Sequence, residues 1–112
     1  MREEANTIIR AALENGYRSD LTGFGKIAYP GASAEEQLMR AAEHVAAHYN
    51  GDERMYNIEI GLIRTGDPAV ACLERFKHHV QWWAHRYGNQ DSRRSPEENW
   101  RLAQTMLAWE VI

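Results

Sequence analysis

From Asp67 to Gly88 the chain reads DPAVACLERFKHHVQWWAHRYG, a run that carries both ends of a helix within it. Asp67 is a good N-cap, because its short carboxylate can accept from the free amides of the first turn. Pro68 stands at the first helical position, where a missing N–H costs nothing. Gly88, followed by Asn89, can take the left-handed conformation that closes a helix. About twenty residues lie between, roughly 30 Å of helix, enough to span a small domain. Winding them at about 100° per residue gathers Cys72, Leu73, Phe76, Val80, Trp83, Ala84 and Tyr87 on one side. Glu74, Lys77, Gln81 and His85 fall on the other. The pattern predicts an amphipathic helix over 68–87 with its apolar stripe in the core.

Trp82 lies off that stripe. His78 and His79 precede it by one turn, His85 and Arg86 follow by one turn, and Arg75 shares its side. Residues three and four apart touch on a helix surface, so the spacing predicts a cationic collar around an outward indole. Tryptophan and arginine are enriched where proteins dock. The plainer alternative buries Trp82 beneath another helix, since indoles are well buried on average. The expected partner-binding residues are Trp82, Arg75, His78, His79, His85 and Arg86, and the expected partner is another protein.

Composition narrows the setting. A chain of 112 residues is long enough for one core and suggests a single domain over 1–112. Its 44% apolar and 26% charged residues are those of a globular protein. No apolar run approaches the roughly 20 residues of a membrane span. The opening MREEANTIIRAALENG places charge where a signal peptide needs a continuous apolar region, so a cytoplasmic location is expected. The lone Cys72 excludes an internal disulfide and, on the apolar stripe, reads as a small buried hydrophobe, which suits a reducing compartment. Net charge is −3 and unevenly spread. Ala34 to Pro68 carries seven acids against three bases, whereas Ala69 to Gly88 carries three bases against Glu74. Such separation can steer an acidic partner or a second copy of the chain.

Outward from the long helix the reading continues on both sides. A first helix is expected over Glu3–Asn15, with Glu3 and Glu4 at the positive end of its dipole and Gly16 at its stop. Tyr17 to Ala32, YRSDLTGFGKIAYPGA, has three glycines and Pro30 and is expected to be a long irregular loop over 17–32, pinned by Phe24, Ile27 and Tyr29. Its Gly23-Phe24-Gly25-Lys26 piece lacks the full spacing and the following Ser or Thr of a phosphate loop. Ser33 and Glu36 form a capping box for a second helix ending near Asn50-Gly51. Within 55–63, Ile58, Ile60 and Leu62 alternate as in a strand, but Met55, Ile58 and Leu62 would also share a helix face, and a helix is the expectation. Ser95-Pro96-Glu97-Glu98 starts a final helix that reaches nearly to Ile112. Trp100, Ala103, Leu107 and Val111 form one apolar row, and Leu102, Met106 and Trp109 a second. Such breadth suits a helix wedged between neighbours, or a homodimer through the second row.

Chemical signatures are sparse. His44-x-x-x-His48 places two imidazoles one turn apart, as bundle metal sites do, but lacks the glutamate of the zinc-protease motif. A third ligand would come from Glu43 or a histidine of the long helix. Bases interleaved with Trp82, Trp83 and Tyr87 suggest single-stranded nucleic acid as a further alternative. Against it, Trp83 and Tyr87 turn inward and the pI of about 5.9 lacks a basic footprint. No Ser–His or Cys–His arrangement stands out, no spacing forces carboxylates to converge, and no cofactor motif is present. The sequence thus predicts an all-α bundle of four to five helices around the 68–87 helix. Its expected role is non-catalytic protein binding, as an adaptor, regulator or inhibitor of the kind bacteria and phages use. The alternative is a metal-binding bundle protein or enzyme using His44 and His48.

Overall fold

Three capped starts set the frame. Ser33 Oγ accepts from the Glu36 amide at 3.2 Å, Asp67 Oδ1 from the Ala69 amide at 3.0 Å, and Ser95 Oγ from the Glu98 amide at 3.2 Å. Each satisfies one of the amides that a helix start leaves without an internal partner. The computed structural model describes residues 2–50, 66–88 and 95–111, with 83–88, 96, 99 and 106–111 by their backbone alone. These residues form five helices: α1 (Arg2–Asn15), α2 (Arg18–Ala28), α3 (Ala34–His48), α4 (Pro68–Gly88) and α5 (Pro96–Val111). The fold is an all-α bundle. The element expected within 55–63 lies outside the described residues.

One expectation is overturned. The segment 17–32 is not an irregular loop, because 11 of its residues form α2. Its glycines do not break the helix; they let neighbours come close. A Cβ on Gly25 would lie 2.5 Å from the backbone oxygen of Gln37 in α3, and one on Gly23 would lie 2.8 Å from Gln104 Nε2 in α5. Tyr17, at the N-cap position, makes no side-chain capping bond. Packing therefore holds the helix: Leu21 and Phe24 are fully buried and Ala28 nearly so. At the other end Gln37 Nε2 donates to the Tyr29 carbonyl at 3.1 Å. Tertiary contact overrides the poor helix propensity of glycine.

α4 packs against α1, α3 and α5, and α2 packs against α3 and α5. The buried centre holds Leu21, Phe24, Val45, Leu73, Phe76 and Val80, with Trp100 packed against it. α1 and α3 meet closely, and both carry buried alanines (Ala5, Ala11, Ala12; Ala41, Ala42) whose small side chains permit close approach. Cys72 is buried as a free thiol. No helix among the described residues is long and apolar enough to cross a membrane.

Candidate functional site

α4 is anchored by Leu73, Phe76 and Val80, all essentially inaccessible. Two residues beyond Val80, Trp82 is 50% exposed, an unusual setting for an indole on a helix so firmly held. Its ring lies 6.4 Å from that of His79, tilted by 41°. His79 in turn meets Tyr49, whose hydroxyl is 2.7 Å from Nδ1. Burial lowers the pKa of His79, which favours the neutral ring. The Tyr49 carbonyl accepts from Arg75 Nη1 at 3.4 Å. His78 Nε2 faces Glu74 Oε2 at 3.4 Å.

Two residues of the expected collar make contacts with α3. Arg75 reaches back to the end of α3, and His79 is clamped by the Tyr49 phenol. The side chains of His85 and Arg86 lie outside the described residues. Among the described residues, the ring recorded beside the indole is that of His79. Tyr49, which sequence reasoning did not single out, ties the end of α3 to both His79 and Arg75. An aromatic at the C-cap of one helix, opposite a histidine-rich helix, is the signal that could have marked it.

His44 and His48 do come together, with ring centroids 4.5 Å apart. Their surroundings differ, however. His48 is exposed, whereas His44 is only 6% exposed. Its ring stacks on Phe24 at 4.9 Å and 22°, with the edge of Tyr49 at 5.6 Å and Phe76 at 6.3 Å. Among the described residues neither ring nitrogen has a hydrogen-bond partner. Burial, and after it the neighbouring His48 and His79, push the His44 pKa down to about 3. Among the described residues no three of His, Cys, Asp and Glu converge, so neither Glu43 nor His79 completes a metal site with this pair. Two ligands fall short of the four that zinc ordinarily takes.

A separate network fastens the α1–α2 junction to α4. The Tyr17 hydroxyl donates to Glu74, and Lys77 lies over the Tyr17 ring at 5.6 Å. Burial, reinforced by the Glu74 bond, raises the phenol pKa well above its ordinary value. In the apolar row suggested for a homodimer, Leu102 is half-buried, and the side chains of Met106 and Trp109 lie outside the described residues.

The chain matches no protein-family model, no curated protein and no solved structure. What the site can do follows from its own residues. Cys72 is buried and its thiol pKa is raised by that burial, which disfavours the nucleophilic thiolate.

Proposed function

We propose that this protein is a small non-catalytic module that binds another protein through the Trp82 face of α4, as an adaptor, regulator or inhibitor working in the cytoplasm. The observation that carries this reading is the half-exposed indole on a helix whose next buried residue, Val80, is wholly inaccessible. A large amphipathic side chain held on a rigid element loses little freedom on docking, so more of its contact area becomes affinity. Tryptophan is also the residue type most enriched where truncation weakens protein complexes.

The test compares the wild-type chain with Trp82→Ala. Far-ultraviolet circular dichroism should show the same helix content and a melting temperature within a few degrees. Affinity capture quantified by mass spectrometry should yield a protein retained by the wild type and lost from the variant, and purified samples of that protein should bind with the same difference. A variant that unfolds, or one that retains the same proteins, removes the proposal.

A further inference from the structure

Between α2 and α5 runs a groove of about 570 Å³, lined among the described residues by Gly23, Lys26, Ile27, Glu97, Trp100, Arg101 and Gln104. It shares no residue with the Trp82 face. Its size lies within the range of small-molecule sites, which are mostly apolar with a few convergent polar groups. Here Ile27 and Trp100 supply the apolar surface, both half-buried and held by the core beneath.

The polar groups are unusual in being uncommitted. Gln104 is only 5% exposed, yet no described residue hydrogen-bonds its side-chain amide. An amide offers two donors and an acceptor oxygen, and this one is not among the buried polar atoms sealed from solvent, so its hydrogen-bonding capacity opens on the groove. The chain makes room for this group: Gly23 has no Cβ, and one there would sit 2.8 Å from Gln104 Nε2. Lys26 and Arg101 are exposed at the same groove, and neither forms an ion pair with another described residue. Among the described residues, two cations against Glu97 give the groove lining a net positive charge.

We propose that this groove is a binding site for a small aromatic carboxylate. The flat apolar body lies on Trp100 and Ile27, the carboxylate faces Lys26 and Arg101, and the Gln104 amide donates to or accepts from a polar substituent. Charge complementarity selects an anion over a neutral ligand, since an anion facing two cations that no described residue pairs forms charge-assisted hydrogen bonds that a neutral group cannot. The volume selects a free small molecule over a folded partner.

Isothermal titration calorimetry with 2-naphthoate as the probe, and 2-naphthalenemethanol as its neutral counterpart, tests the site on the full chain. The expected result is a 1:1 complex with 2-naphthoate, with a dissociation constant on the order of 0.1–1 mM, and at least tenfold weaker binding of the alcohol. Lys26→Glu and Arg101→Glu alter exposed side chains, so both variants should keep the wild-type dichroism spectrum and each should weaken 2-naphthoate at least tenfold. Gln104→Met roughly conserves volume and removes the amide; it should melt within a few degrees of the wild type and bind 2-naphthoate as the wild type does, while 6-hydroxy-2-naphthoate, whose hydroxyl is the polar substituent the amide meets, should bind several-fold more weakly than to the wild type. Absence of 2-naphthoate binding, equal binding of the alcohol, or unchanged affinity in both charge-reversed variants overturns the proposal. So does a Gln104→Met protein that binds 6-hydroxy-2-naphthoate as well as the wild type does.

Discussion

His44 is a base that the fold prevents from acting as one. In the folded chain its ring is held neutral down to about pH 3, whereas unfolded it takes a proton near its ordinary value of about 6.5. Below that value the unfolded chain binds more protons than the folded one, so stability falls as pH drops through the interval from about 6.5 to about 3. The slope for one such group is about 1.4 kcal/mol per pH unit, and His79, whose pKa burial also lowers, acts in the same sense. Replacing His44 by Phe keeps a ring against Phe24 and removes two unpartnered nitrogens. His44→Phe should be at least as stable as the wild type at pH 7, and urea denaturation at pH 7 and 5 should show a smaller loss of stability on acidification, with the share due to His79 remaining. A slope equal to that of the wild type would mean that His44 is solvated in the native chain. Trp82 belongs to the other extreme. Because half of it already faces water, Trp82→Ala should cost less than about 1 kcal/mol in the same measurement, whereas Phe76→Ala, emptying the core, should cost about 3–5 kcal/mol.

Among the elements, α2 shows where local reading stops. Ser33, Asp67 and Ser95 are legible because a cap is a matter of a few adjacent residues, and the bonds they make are local ones. Gly23 and Gly25 are not, because the reason for each is a contact with a residue far along the chain, Gln104 or Gln37. In sequence they look like the glycines of a loop. The difference can be measured. Gly25→Ala drives a Cβ to 2.5 Å from a backbone oxygen that cannot swing away, and should cost about 1–3 kcal/mol by overpacking. Gly31→Ala meets nothing within 4 Å and should stay within about 0.5 kcal/mol of the wild type. Gly16→Ala also meets open space, but its φ of +83° is unfavourable for an L side chain, and about 1 kcal/mol should be lost. If Gly25→Ala proved neutral by denaturant unfolding, the close crossing of α2 over α3 would be wrong.

At the scale of the whole molecule, a Cα radius of gyration of 13.7 Å is near the roughly 13 Å expected of a folded domain of about 100 residues. Four of the five helices and the inward stripe Leu73, Phe76, Val80 follow from periodicity, which fixes angle around a helix axis. Angle does not give depth. His44 sits at the border of the apolar face by angle, yet α2 lays Phe24 across it and makes it interior. The same limit hid the groove beside Trp100, which exists only where α2 and α5 meet. Phe24 therefore joins three helices at once, stacked on His44 of α3 and edge-on to Phe76 of α4 at 5.4 Å. Were 17–32 a covering loop, Phe24→Ala would loosen it alone and leave the main transition untouched. Because α2 is part of the core, the substitution should instead destabilise the entire chain by about 3–5 kcal/mol, a large share of the roughly 5–15 kcal/mol typical of a domain. The urea midpoint should fall with the slope of the transition unchanged, since the same surface is exposed on unfolding. An early, separate transition in the variant would place α2 outside the cooperative unit and leave His44 covered by something other than Phe24.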